Sequence, residues 1–392
     1  MIEPLEIGTR KQLFIDNLVI EETHGTIKTL NQPTKYVGNP IMIPIYPWEG
    51  RIGSLSSTVR RDAQSGQFRM RYLSQGGMGV PSMSSSQPYS IQGNDPKNLH
   101  LSICYATSSD GIFWDRPNLG LVEYKGSKDN NIAIPNASGA NVFEDTREPD
   151  PTRRYKSLFF ELHGPDGTPN KGDGVSVAFS PDGIKWTKYE HNPVITRYSE
   201  SHTLFGWDDL YDKYVSYCRP SLHEGNKIRR IGRAVSDDFE NWTLPEDVLV
   251  PDDDDPPGME FYGMPVFKYE DFYIGQLWAY QTPPEEPLIR FAGSIHVQLA
   301  ASRDGINWDR AGDRKPFIPN GPPGSIDHWE TMTAQSPVVM GDELWFYYSG
   351  MKRLHGGAVE SEDERKTGKY SGIFRASLRR ESVAAPLLFR SR

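Results

Sequence analysis

The heptapeptide Ser302-Arg-Asp-Gly-Ile-Asn-Trp308 has three companions: Ser108-Ser-Asp-Gly-Ile-Phe-Trp114, Ser180-Pro-Asp-Gly-Ile-Lys-Trp186 and Ser236-Asp-Asp-Phe-Glu-Asn-Trp242. All read Ser-x-Asp-(Gly)-x-x-Trp. Asp-Gly supplies the positive φ of a tight hairpin, Ser and Asp side chains bond the turn backbone, and the Trp opens the next strand. An alternating run precedes each copy, namely HLSICYAT, GVSVAFS, RIGRAVS and IHVQLAAS, so each is a strand-turn-strand unit.

The four tryptophans lie 72, 56 and 66 residues apart. That is too long for a repeat of ~40 to 45 residues, yet each interval divides into four strands. Before Trp114 come LSSTVRRD, FRMRYLSQ, LSICYAT and IFWDR; before Trp186, ANVFEDT, RYKSLFFEL, VSVAFS and IKWTKY. The third set is HTLFGWDD, KYVSYCRP, IGRAVS and NWTL, and the fourth YGMPVFKYE, FYIGQLWAYQ, HVQLAAS and INWDRA. Beyond Trp308 only three strands follow, AQSPVVMGD, ELWFYYSGM and SGIFRASL. The N-terminal run KQLFIDNLVIEE, with its strand around Leu13 to Ile20, is expected to supply the fourth and remove the exposed sheet edge. The expected fold is all-β: a single five-bladed β-propeller of four-stranded blades over residues 1–378, its ring closed by that strand. Periodicity is lost after Leu378, leaving 379–392 as a tail. Two stacked β-sandwiches would not explain a motif recurring at blade period.

Bulk properties agree. The 31 prolines and 36 glycines are spread along all 392 residues, as turn punctuation is. A net charge of −9 without a dense basic run argues against a nucleic-acid partner. The acidic run Asp252 to Asp255 leads into Pro256-Pro257-Gly258 and reads as a solvated loop. Cys104 and Cys218 sit in apolar strand-like runs as buried thiols, with no disulfide framework. Nowhere are there 18 consecutive apolar residues, so no membrane partner is expected. The first residues lack a signal-peptide pattern, which fits a cytoplasmic protein or a secreted one with its signal removed.

The hairpins SPDGIKW and SRDGINW and the five-fold strand order resemble the five-bladed β-propeller glycoside hydrolases, the invertase, arabinanase and β-xylosidase grouping. The resemblance covers nearly the whole chain. It extends to a branch in which LFIDNLVI precedes NPIM and PWEG and then a KY(V)xYxR strand, here Lys213 to Arg219. The resemblance implies three carboxylates from different blades around a pocket on the propeller axis. The invertase signatures Asn-Asp-Pro-Asn-Gly, Arg-Asp-Pro and Glu-Cys are absent, so no residue is transferred by motif.

Candidates come instead from geometry. The segments leading into the innermost strands form the mouth of a propeller. They offer Trp48, Glu49 and Arg51; Asp129 and Asn131; Glu200 and His202; Glu260 and Tyr262; and Asp327, His328, Trp329 and Glu330. Glycoside hydrolysis needs two carboxyl groups flanking the bond, and aromatic rings stack on sugar faces. Glu49, Glu200 and Glu260 are therefore the first catalytic candidates, with Asp327 and Glu330 following. In that scheme Glu49, two residues before Arg51, is the ionised partner and Glu200 or Glu260 the acid. Trp48, Arg51, His202, Arg219, Tyr262, His328, Trp329 and His355 are the expected substrate contacts. Asp16 reads as structural. No cofactor is required and no tightly bound catalytic metal is expected, because His202, His328 and His355 lack ligand spacing; calcium is the candidate for a structural ion.

The expected function is a glycoside hydrolase acting on a plant or algal oligo- or polysaccharide, its partner a carbohydrate. A non-catalytic glycan-binding propeller and a glycoside phosphorylase are the alternatives; the second needs paired Arg or Lys in the pocket to hold phosphate. The sugar, the linkage and the oligomeric state are not legible in the sequence.

Overall fold

The computed structural model describes residues 11–75 except 19, 23 and 28, together with 101–161, 174–196, 202–220, 228–282, 292–355, 369–381 and 390–391. These residues form an all-β structure with two single turns of 3₁₀ helix, at Pro151–Arg153 and Gly312–Arg314. Near the N-terminus, β1 (Thr26–Ile27) and β2 (Thr34–Lys35) are two-residue strands. The first four-stranded sheet is β3 (Arg51–Arg61), β4 (Phe68–Gln75), β5 (Ser102–Ser108) and β6 (Ile132–Pro135), paired in that order. The second holds β7 (Ser138–Glu144), β8 (Tyr155–Glu161), β9 (Gly174–Ser180) and β10 (Thr187–Lys188). The third holds β11 (His202–Asp208), β12 (Lys213–Cys218), β13 (Ile231–Ser236) and β14 (Glu246–Leu249).

The remaining strands form one eleven-stranded sheet in two parts. In one, β15 (Met259–Gly263) and β16 (Val266–Tyr269) share the partner β17 (Phe272–Gln281); β17 pairs β18 (Ser294–Ser302), which carries β19 (Asp309–Arg310) and β20 (Pro316–Ile318). In the other, β21 (Glu330–Thr333) and β22 (Val338–Met340) pair β23 (Glu343–Met351), then β24 (Ser371–Arg379), then β2. A single parallel bridge, Ile295 to Glu330, joins the parts. Finally β25 (Arg390–Ser391), within the expected tail, pairs β1.

Two expectations about strands are corrected. The last group does take an outer partner from the N-terminal part of the chain, but that partner is β2, with Thr34 opposite Ser377 and Lys35 opposite Ala376. The described residues between Leu13 and Ile20 form turns. Leu13 and Ile15 are buried in the apolar cluster with Phe272 and Leu344, while Asp16 pairs with Arg303 at 2.7 Å and caps the Leu18 amide. Likewise IFWDR and NWTL make only isolated bridges, Thr107 to Asp115 and Ser236 to Trp242; β6 and β14 are the fourth strands of their sheets.

The four hairpins share one set of bonds. In each, the Ser hydroxyl donates to the Asp carboxylate and accepts from two turn amides, and the same carboxylate oxygen accepts the two following amides, as at Ser302, Asp304, Gly305, Ile306 and Asn307. Burial opposes ionisation of these carboxyls, but the bonds outweigh it. Asp110, Asp182 and Asp238 are held below the ordinary value and Asp304 is brought down to about 2. The turn residue has positive φ in all four, including Phe239 at +70° where the others have glycine.

A side chain from another sheet grips three of these turns: Tyr347 donates to the Gly111 carbonyl, Arg71 to Gly183 and Tyr217 to Gly305. Side chains also pack between the sheets in five clusters. The first sheet shares one with the second (Leu73, Phe159), the second with the third (Leu158, Leu204) and the third with the β15–β20 part (Val215, Phe261). That part shares one with the β21–β24 part (Trp278, Phe346), which shares the fifth with the first sheet (Tyr347, Phe68).

Two predictions arise here. Gly305→Ala places a Cβ at φ +70°, 2.8 Å from the Tyr217 hydroxyl, and should cost about 1–3 kcal/mol. Urea unfolding monitored by tryptophan fluorescence checks it, and an unchanged midpoint would contradict the role of the turn. The second concerns His296, which burial, helped by nearby Arg310, lowers from 6.5 to about 4. Between those values the unfolded chain binds a proton that the folded chain refuses, so stability is full above pH 6.5 and falls as pH drops. The slope approaches about 1.4 kcal/mol per pH unit and ends near pH 4. Melting temperatures for the parent and His296→Gln across pH 4 to 7 should diverge by that slope; parallel curves would contradict it.

Candidate functional site

Arg51, Glu260 and Glu330 stand at the starts of β3, β15 and β21. Glu330 opens β21, bonded in register to Met351 on one side and Ile295 on the other, and is only 1% exposed. Neither of its carboxylate oxygens has a hydrogen-bond donor among the described residues. Its nearest ionic partner is His355, with Nδ1 at 3.5 Å from Oε2. The His355 backbone exchanges two hydrogen bonds with Gly293, which fixes the ring against Tyr262 at 4.7 Å and Tyr280 at 5.7 Å, both edge-on.

Tyr262 and Glu260 come from β15, Tyr280 from β17, and the two tyrosine rings lie 5.9 Å apart. Two buried arginines face them. Arg219, just beyond β12, sits 5.2 Å over the Tyr262 ring; Arg229, just before β13, lies 5.8 Å from that ring and 4.9 Å from Tyr280. An Arg229 guanidinium nitrogen donates to Glu260 Oε2 at 2.6 Å, and the Arg229 amide reaches the same oxygen at 3.4 Å. Burial works against the Arg229 charge, yet Glu260 beside it, with Tyr262 and Tyr280, raises its pKa. For Tyr280, burial followed by the Glu260 and Glu330 charges raises the phenol, with Arg229 and Arg219 opposing. All four charges therefore act on one phenol. Arg51, opening β3, reaches the Met351 sulfur at 3.5 Å, in register with Glu330.

The remaining candidates occupy other places. Glu49 is fully buried and saturated: it accepts from the Ile45 and Tyr46 amides at 2.8 and 3.0 Å, from the Tyr72 hydroxyl at 2.6 Å and from Arg116 at 2.7 Å. Trp48 stacks on Tyr46 at 4.6 Å and donates to Asn131, which in turn donates to Tyr72. Asp327 accepts from Lys35 at 2.6 Å, from Ser325 at 2.8 Å and from Tyr348 at 3.2 Å. His328 lies edge-on to Trp329 at 4.4 Å, and Trp329 is 37% exposed. His202 is buried with Nε2 3.2 Å from the Leu158 carbonyl. Glu200 lies outside the described residues.

The structure thus gathers Glu260, Tyr262, Arg219, Glu330 and His355. It adds Arg229 and Tyr280, which a search confined to inner-strand mouths does not reach. The sequence signal for Arg229 is the Arg229-Arg230 pair just before the strand IGRAVS, and Arg230 itself pairs outward with Asp247 at 2.8 Å. Among the described residues no group of three or more His, Cys, Asp and Glu is placed to hold a metal ion. Likewise no described helix is long and apolar enough to cross a membrane.

No protein-family profile matches the chain, and no curated protein matches it. Solved structures do. A glycosyl hydrolase from Bacteroides ovatus superposes with a TM-score of 0.57 at 13% identity, over 90% of this chain and 96% of that one. A structure reported to show that the GH130 family of mannoside phosphorylases contains glycoside hydrolases targeting β-1,2 mannosidic linkages in Candida mannan gives 0.56 at 14%, over 88% and 94%. An N-acetylgalactosamine deacetylase from F. plautii, in complex with blood group B trisaccharide, gives 0.55 at 15%, over 93% and 98%. At such identities the likeness is one of fold, that of GH130-like β-propellers. One of these neighbours is a deacetylase, so the shared fold does not choose the chemistry.

Proposed function

We propose that this chain is a glycoside hydrolase of plant or algal glycans, built as one five-bladed propeller over residues 1–378, with Glu260 and Glu330 as its working carboxyl pair. In this reading the three four-stranded sheets and the two parts of the eleven-stranded sheet are the blades, and β2 closes the ring. The observation that carries the reading is Glu330: a buried carboxyl with no hydrogen-bond donor on either oxygen among the described residues, in a cluster of rings and arginines. Such a group is costly to keep unless it has a task.

The roles follow from the partners. Glu260 has its charge balanced by Arg229 and serves as nucleophile or base. Glu330 delivers the proton to the leaving oxygen, with His355 beside it to orient the carboxyl. Tyr262 offers ring surface to a sugar, and Arg219 and Arg51 offer donors to its hydroxyls. Glu49 and Asp327, whose oxygens already accept several hydrogen bonds each, hold the frame. No cofactor is needed.

Arg219 and Arg229, both against Tyr262, favour one second reading, phosphorolysis, because paired guanidiniums can hold inorganic phosphate. Incubation with a panel of plant and algal oligosaccharides, with and without phosphate, tests both. New reducing ends without phosphate support hydrolysis, and a sugar 1-phosphate formed only with phosphate supports phosphorolysis. Acetate release without bond cleavage, or binding without any product, would overturn the carboxyl-pair reading.

A further inference from the structure

Away from the Glu260 and Glu330 cluster, at the far end of β3, lies a cavity. Arg51, which contacts Met351 beside Glu330, begins β3; the strand then runs to Arg60 and Arg61, roughly 20–25 Å away, because a register shift between Gly53 and Thr58 takes up part of its eleven residues. There a cavity of about 750 Å3 is lined by Arg60, Arg61, Arg69 and Arg71, with Asp62 and Glu144 as its acidic residues. Both acids are engaged: Asp62 accepts from Ser65 and pairs with Arg69, one of the four, at 3.5 Å, and Glu144 pairs with Arg154 outside the lining at 3.3 Å. Arg71 is 2% exposed. One of its nitrogens donates to Gly183, while its Nε has no hydrogen-bond partner among the described residues. Burial, with Arg60 and Arg69 close by, lowers Arg71 to about 10, so the positive charges here repel one another across a low-dielectric wall.

Four arginines lining a cavity with two acidic residues, one of them already paired to Arg69, make a site that an anion would complete. The volume exceeds what a lone inorganic ion fills and lies in the range that small organic ligands occupy. We propose that this cavity binds a sugar-sized organic anion, held through a carboxylate, sulfate or phosphate group by Arg60, Arg61, Arg69 and Arg71. The site is separate from the Glu260 and Glu330 cluster and does not depend on the function proposed for it.

The test is calorimetric titration of the intact protein with glucuronate, glucose 6-sulfate, glucose 6-phosphate and, as neutral control, glucose, at constant ionic strength. At least one charged sugar should bind with Kd below ~1 mM, and glucose should not. Affinity should fall at least tenfold in Arg60→Gln and Arg69→Gln and stay unchanged in Glu330→Gln. The three charged ligands tell which anionic group the site prefers. Arg61→Gln, with its exposed side chain, provides a variant whose folding does not depend on the substituted group, and near-UV circular dichroism verifies each fold. Absence of binding by all three charged sugars, equal binding of glucose, or undiminished affinity in all the folded arginine variants would overturn the proposal.

Discussion

Glu330→Gln is expected to lower turnover of a cleaved glycoside by a factor of about 100 or more while leaving the melting temperature nearly unchanged. The carboxyl forms no hydrogen bond among the described residues, so the amide removes no structural bond, and the isosteric side chain keeps the β21 backbone register with Met351 and Ile295. What the amide cannot do is give up a proton to a leaving oxygen. Substrates with good leaving groups need little protonation, so the loss should be smaller on an activated aryl glycoside than on a natural glycan. Glu260→Gln should be equally damaging on both, because the charge that it supplies is needed whatever leaves. Stopped assays on the two substrate types check the pattern. A Glu330→Gln protein with parental rates on both would remove the residue from the chemistry.

The second large effect is on stability. Arg116→Met should cost about 3–5 kcal/mol, a large share of the ~5 to 15 kcal/mol that a folded chain has available. Arg116 is nearly buried, donates to Glu49 at 2.7 Å and to the Ile43 carbonyl at 2.7 Å, and its loss strands a Glu49 carboxylate that is fully buried. Breaking one side of such a pair costs more than removing both. Adding Glu49→Gln to Arg116→Met should therefore recover part of the loss, and a double-mutant cycle by urea denaturation measures it. A single variant within about 1 kcal/mol of the parent would contradict the network.

Those two residues also mark where the sequence was readable and where it was not. Turn chemistry is local: Ser302, Asp304 and Gly305 carry their own bonding pattern, so four hairpins and most strands could be placed from spacing alone. The N-terminal partner strand has no such mark. The run Leu13-Phe-Ile-Asp16 is apolar enough to read as a strand, but Leu13 and Ile15 are buried by core packing and Asp16 is held by an ion pair to Arg303, whereas the two-residue β2 after Pro33 has no periodicity to read.

The site divides the same way. Glu260 and Glu330 were within reach because they begin inner strands, and a propeller brings such positions together. Glu49 ranks above Glu330 in sequence because Trp48 adjoins it, and Arg51, two residues on, reads as its cation; in space its cation is Arg116, some seventy residues on. Arg229 and Tyr280 enter from other strands, so only tertiary packing reveals them. A carboxyl with no donors among the described residues, the strongest feature of the cluster, is a property of surroundings that one sequence does not display.

The most direct measurement is a crystal structure with a bound monosaccharide taken from the first glycan found to be cleaved. The account predicts the sugar between the Glu260 and Glu330 carboxylates, its face on Tyr262. The separation of those carboxylates then gives the stereochemistry: ~5 to 5.5 Å for retention, ~6.5 to 9.5 Å for inversion. A sugar seated against Trp48 and Glu49, or over Asp327 and Lys35, with the Glu260 and Glu330 cluster empty, would contradict it.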